Sequence, residues 1–404
     1  MEQNNKKTSA FSKIRKNFYK QSSELDKKER RKIIFIALGL FLSATALLLT
    51  ATLIEASGKG KYVYIYGDYE QSIKNDACFY EEVQLIDMNA LANYCGISKE
   101  EANYIVTFSV NNTYVSLENG SNIAIVNGIK KEMPAAAQIK NGYCLVPVSI
   151  VNDIIFGVTI NAGKKSASIT KQEAMYIIDK NPKIEYVTDV SQYLEYINSK
   201  DEYIYTLVNK VEGNFVDKDF EPDSLVQIPQ EYLHEYKHGK EIKLYSITLQ
   251  ALSAMLEDMA GAGINDILVQ SAYRTHDYQN MLFENYVNDE INNGHTREEA
   301  EALANKYSAL PKHSEHRTGL CVDFTTNSIH GVVDDIFETT QAFAWLKENS
   351  WKYGFVLRYA AEKESKTGYV YESWHYRFVG FEAASIMYQT GLCYEEYLEI
   401  FGAK

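Results

Sequence analysis

Between Pro311 and Thr326 the segment PKHSEHRTGLCVDFTT crowds two histidines, a glutamate, an arginine and an aspartate around one glycine. Read as a strand, GLCVDF places Leu320, Val322 and Phe324 on one face and Gly319, Cys321 and Asp323 on the other. The first face is core. His316 precedes the strand in a loop that Gly319 can fold back, so His316 and Asp323 share one cleft. By itself this spacing is better read as a solvated histidine and an aspartate in an edge-strand ion pair. A second segment, ESWHYRFVG (Glu372 to Gly380), tips the balance. As a strand it sends Trp374, Tyr376 and Phe378 to the core and His375 to the opposite side, so Glu372 reaches the same place only from the turn entering it. Two imidazoles and one carboxylate form a three-ligand zinc set with one position open to water, and a neighbouring carboxylate can take that water's proton. His316, Asp323 and His375 are the candidate metal ligands, with Glu372 as general base.

A third segment, ILVQSAYR, aligns Leu268, Gln270, Ala272 and Arg274 on one strand face. An amide and a guanidinium then project together from the strand end, and the planar fork of arginine matches a carboxylate bidentately. A substrate with a free C-terminal carboxylate would be held there with its last peptide bond over the metal. Helical spacing runs through Ile247–Met259, Asp277–Asn293, Thr296–Tyr307 and Thr339–Asn349. The strands GLCVDF, FVLRY and HYRFVG are interspersed among them without repeated βαβ units. This mixed order predicts an α+β domain over 203–404, with a small antiparallel sheet flanked by helices.

The rest of the chain divides by composition. Residues 1–32 carry eleven Lys and Arg against four Asp and Glu, so this head is near +7 and the remainder of a chain of net charge -13 is near -20. Nucleic acid is therefore not expected as a partner. Residues 33–54 are apolar without a charge, long enough to span a bilayer, and the flanking basic residues place the N-terminus in the cytoplasm and the remainder outside. Residues 62–170 alternate short β-prone runs with turn signals, and 171–202 read as a polar, helix-leaning linker. The five cysteines form no CxxC pair.

SAYRTHDYQNMLF, SEHRTGLCVDF, KYGFVLRY and KTGYVYESWHYRFVG occur in the order and spacing of the VanY-type D-alanyl-D-alanine carboxypeptidases, the zinc-dependent M15 peptidases, which 203–404 resembles. The resemblance implies Zn2+ on His316, Asp323 and His375, Glu372 as catalytic base, Arg274 on the substrate carboxylate, and Gln270 and Ser314 around the substrate. It implies peptidoglycan stem peptides as substrates at a cell membrane, with D-alanine removed from the C-terminus. Close relatives acting as L,D-carboxypeptidases on tetrapeptides, or an inactive wall-binding protein of the same fold, are the alternatives. Lys312, Arg317, Cys321 and Ser373 depart from the family pattern, and His313 is expected in solvent or behind the ligands. Residues 62–170 resemble the copper amine oxidase N-terminal-like module, read here as a spacer or wall-binding unit. All eight histidines lie at His234 or later, so this module offers no imidazole to copper.

Overall fold

The computed structural model describes residues 61–74, 78–80 and 82–402. The expected basic head and membrane span lie outside these residues, and among the described ones no helix is long and apolar enough to cross a membrane. The architecture is mixed α+β, with a β-rich module followed by an α+β domain.

The module is built from hairpins. A five-stranded meander runs from Ser98–Ala102 through Ile105–Val110, Thr113–Glu118 and Ile123–Val126 to Ile129–Glu132. Two of its turns use the residues that two-residue hairpins demand: Asn111 and Asn112 have φ of 49° and 62°, and Asn127 and Gly128 have 48° and 84°. Both central positions of a type I′ turn need the left-handed region, which asparagine and glycine enter most cheaply. Two four-stranded sheets complete the module. One of them contains the long strand Ser166–Ile177, which pairs with Ile155–Ala162.

That strand corrects the expected helix-leaning linker. Residues 171–177 continue the ladder, because pairing with the neighbouring strand satisfies their backbone groups while Tyr176 and Ile177 become buried. The chain beyond stays extended or irregular to Val190, and only short helical turns follow at Ser191–Ile197.

In the C-terminal domain, β1 (Ile267–Ser271), β2 (Cys321–Thr326), β3 (Phe355–Leu357) and β4 (His375–Phe378) form an antiparallel sheet in the order β1-β2-β4-β3. Helix α1 (Ser246–Gly261) buries Leu252, Met255 and Met259 against the apolar face made by Val269, Val322, Phe324, Tyr376 and Phe378. Between β1 and β2 the chain inserts α2 (His276–Asn292) and α3 (Arg297–Tyr307), the latter begun by a capping box between Thr296 and Glu299. Helix α4 (Gln341–Asn349) precedes β3, and α5 (Phe381–Thr390) and α6 (Tyr394–Phe401) close the chain.

Module and domain share a core. The rings of Phe156 and Phe401 lie 4.4 Å apart, and Tyr176, Ile178 and Val379 pack in the same cluster. Gln389 of α5 accepts from the Asp179 amide at 2.7 Å and donates to the Asp179 carbonyl at 2.9 Å. Replacing Gln389 with alanine strands both buried backbone groups, each costing about 1–3 kcal/mol when unpaired. Gln389→Ala should therefore lower the urea midpoint and speed hydrogen exchange at the Asp179 amide; wild-type exchange there would show that this contact does not hold the joint.

Candidate metal centre

The sheet register assembles the site. Asp323 of β2 lies directly opposite His375 of β4, and Cys321 opposite Arg377. On its other side Asp323 pairs with Ser271, next to a register shift between Val269 and Ser271 that re-aims the end of β1. The loop before β2 ends in a 3-10 turn, Glu315–Thr318, closed by Gly319 at φ 66°. A Cβ at Gly319 would lie 2.9 Å from Leu225 and 3.1 Å from the Tyr245 amide, so both the backbone angle and the space require glycine.

His316 directs Nδ1 to the Ala272 carbonyl at 2.6 Å and Nε2 to Asp323 Oδ2 at 3.2 Å. The carbonyl bond makes Nδ1 the donor and leaves Nε2 free to act as a ligand, the arrangement that orients metal-binding histidines. His375 faces Asp323 Oδ1 with Nδ1 at 3.0 Å, and Glu372 Oε2 lies 3.6 Å from the same nitrogen. Glu372 occupies the turn entering β4, where the His375 amide donates to its carbonyl at 3.2 Å. Arg274 donates to Asp323 Oδ2 at 2.6 Å, to Ser271 at 3.0 Å and to Gln279 at 3.2 Å. Gln270 donates to the Gly331 carbonyl at 3.1 Å while its buried Oε1 has no partner among the described residues, and Ser314 is buried in the cleft wall. All seven candidate residues line one cleft of about 370 Å³. His313 stands apart, half-buried and bonded to the Asn209 carbonyl at 2.6 Å.

Two further residues belong to the site, and of them only Cys321, on the Asp323 face of its strand, was marked by the sequence. Glu315 faces Nε2 of His375 at 3.4 Å and is held at Oε1 by Arg358 at 2.7 Å and Arg377 at 3.0 Å, with all three side chains fully buried. Arg358 also makes a bidentate pair with Glu395 at 2.9 and 2.6 Å. Glu315 therefore grips the back of His375 while the ring's other nitrogen faces the cleft. The signal lay in SEH, FVLRY and HYRF, whose charged residues sit inside otherwise apolar runs. The second feature is Cys321: its sulfur and one ring nitrogen each of His316 and His375 lie within 4.8 Å of one another. Arg317 holds its loop instead, donating to the carbonyls of Asp217, Lys218 and Phe220 at 2.8–3.0 Å.

The electrostatics follow from burial. Loss of hydration pushes the Glu372 carboxyl up to about 7, with Asp323 adding repulsion and His375 opposing it. Asp323 is held well below the carboxylate range: burial opposes its ionisation, but His316 and Arg274 outweigh that cost. The imidazoles of His316 and His375 with the carboxylate of Asp323 are the donor types zinc prefers, and each ring has a hydrogen-bonding partner on its other nitrogen, Ala272 for His316 and Glu315 for His375. The residues fit a bound zinc ion.

A buried constellation of this kind defines a metallopeptidase-type site. Residues 241–381 match the VanY family, D-alanyl-D-alanine carboxypeptidase, and residues 67–171 match the copper amine oxidase N-terminal domain. The chain is 36% identical over 147 residues to a D-alanyl-D-alanine carboxypeptidase of Enterococcus faecalis, covering 35% of this chain and 50% of that one. A solved structure of the vancomycin resistance D,D-pentapeptidase VanY, a mutant in complex with Zn(II), is 31% identical over 48% of this chain and 99% of its own, with a TM-score of 0.40. The LD-carboxypeptidase LdcB is 30% identical over 50% of this chain and 97% of its own, with a TM-score of 0.41. The chain spans about half the length of the curated relatives it matches. The C-terminal domain thus carries a VanY-type D-alanyl-D-alanine carboxypeptidase region, preceded by a copper amine oxidase N-terminal-like one.

Two outcomes follow from the buried charges. Glu315→Ala leaves two buried guanidiniums short of their shared carboxylate, a loss of about 3–5 kcal/mol; a denaturation midpoint unchanged from wild type would refute the pairing. In metal-free protein, the raised Glu372 pKa means that the neutral acid suits the fold. That stability is complete below the unfolded pKa near 4.5 and is lost as pH rises through about 7. Glu372→Gln should thus raise the unfolding free energy of chelated protein by about 3 kcal/mol at pH 8 and by almost nothing at pH 4. Equal increments at both pH values would contradict the burial argument.

Proposed function

We propose that this protein is a membrane-anchored zinc D,D-carboxypeptidase that removes the C-terminal D-alanine from peptidoglycan stem peptides. The observation that carries the reading is the convergence of His316, Asp323 and His375 in one cleft, with Glu372 beside them and Arg274 at the rim. Zinc held by the first three would supply Lewis acidity and a water acidic enough to ionise near neutral pH. Glu372, close to neutrality in its proton affinity, is suited to accept a proton at its carboxylate and return it to the leaving amine. Arg274 presents a guanidinium to the free terminus, its partner Asp323 being the group that a cation would engage instead. Gln270 keeps an unpaired buried acceptor, and Ser314 a hydroxyl, available to the substrate backbone.

For placement we propose an anchor at residues 33–54 with the N-terminus cytoplasmic and the domain outside, on the apolar run and its basic flank. The matched module before the domain would then hold the catalytic cleft away from the bilayer.

Full-length protein in detergent, given pentapeptide and tetrapeptide stems with and without chelator, should release D-alanine from the pentapeptide only while metal is present. Glu372→Gln should lower turnover by about 10²–10⁴-fold with metal still bound. Release confined to the tetrapeptide would make it an L,D-enzyme, and no metal-dependent release from either would leave the wall-binding alternative.

A further inference from the structure

We propose that the β-rich module carries a saccharide-binding groove, built on Tyr69, Asn89, Asn93, Tyr94 and Tyr143, that takes the glycan chain of the cell wall. The choice of wall glycan rests on the reading of the C-terminal domain as a peptidoglycan enzyme; the groove itself does not.

Local structure puts these side chains on one surface. Tyr69 and Gln71 are two apart on the strand Tyr69–Lys74, so they leave its sheet on one face. On the helix Met88–Cys95, Asn89 and Asn93 are four apart, as are Ala90 and Tyr94, and they form a stripe opposite the buried Met88, Leu91, Ala92 and Cys95. The hairpin at Gly142 and Tyr143 closes the third side, held there by Asn89, which donates to the Gly142 carbonyl at 2.8 Å. These elements enclose about 460 Å³, within the roughly 300–1,000 Å³ of small-molecule sites.

The chemistry of the walls selects the ligand. Tyr69 is 60% exposed and Tyr143 38%, large rings left open to solvent. The rings of Tyr69 and Tyr94 both lean on the buried Tyr66, at 6.1 and 5.7 Å between centroids, so their positions are braced. Amides stand between the rings. Asn89 Oδ1 is buried and has no partner among the described residues, a cost of about 1–3 kcal/mol that a ligand hydroxyl would relieve. The one carboxylate, Asp87, is already engaged: it accepts from the Asn89 amide at 3.1 Å, the Cys144 amide at 3.0 Å and the Gln71 side chain at 2.9 Å. A cation would therefore find no free partner, and an anion would meet a negative charge. Ring faces beside uncharged amides suit a neutral ligand that is apolar on its face and hydroxylated at its edge. A pyranose has this form, with C–H groups to pack on an aromatic ring and hydroxyls to pair with amides. Holding the glycan on the module would raise the effective concentration of its stem peptides at the catalytic cleft.

The test titrates full-length protein in detergent with a soluble oligomer of β-linked N-acetylglucosamine that carries no peptide, and reads the heat of binding. Wild type should bind one oligomer per chain. Tyr69→Ala should weaken binding at least about tenfold by removing a packing face, while Tyr69→Phe keeps most of the affinity. Asn93→Ala, at an exposed helix position where alanine suits the fold, should weaken it by about three- to tenfold. All three variants should cleave a soluble pentapeptide at the wild-type rate, but Tyr69→Ala should release D-alanine more slowly from intact wall polymer. No saturable binding by wild type, or undiminished affinity in Tyr69→Ala or Asn93→Ala, would overturn the groove; unchanged release from the polymer would overturn its part in presenting substrate. Oligomer binding that Tyr69→Ala weakens, in a protein that cleaves no stem peptide, would overturn the enzyme reading and leave the groove standing.

Discussion

A carboxylate buried without compensation would not stay charged, and the placing of Glu315 between Arg358 and Arg377 is the constraint on which the site depends. With its charge balanced, Glu315 can face one nitrogen of His375, so the other turns to Asp323 and Glu372. The guanidiniums are themselves anchored: Arg377 donates to the carbonyls of Ile204 and Thr206, and Arg358 pairs with Glu395 on α6. A side chain that lines the cleft is thus oriented by contacts reaching the closing helix and the segment before the domain's sheet.

The opposite wall is fixed by backbone. His316 is pinned through Nδ1 to the carbonyl of Ala272, and the His316 carbonyl accepts from the Arg274 amide at 3.1 Å. One exchange of hydrogen bonds therefore couples the loop that carries a candidate ligand to the strand end that carries the carboxylate-binding candidate. Rigid support of this kind is what catalytic geometry needs, because small displacements weaken each contact steeply. The shared core around Phe156, Tyr176 and Phe401 carries this packing on into the module.

Much of the sheet was legible from alternation. Leu320, Val322 and Phe324, and likewise Tyr376 and Phe378, stand in the core because period-two apolar spacing has few other uses. The alternation of short strands and turns in the module was equally plain. Residues 171–177 were misread as helix-leaning because their polar composition carries no strong period, and the ladder with Ile155–Ala162 decided their conformation. The role of Glu315 was hidden for a related reason: its partners lie 43 and 62 residues away along the chain.

The sequence by itself determined which donors exist and which faces they leave from, since residue type and backbone parity are local properties. It also determined where left-handed turns fall, because only a few side chains tolerate them. Only the tertiary structure decided register, tautomer and charge state. Asp323 meets His375 because β2 and β4 pair one way and not one residue over. The raised proton affinity of Glu372 comes from burial beside Asp323, a side chain brought from a distant segment, an environment that no short stretch of chain can create for itself.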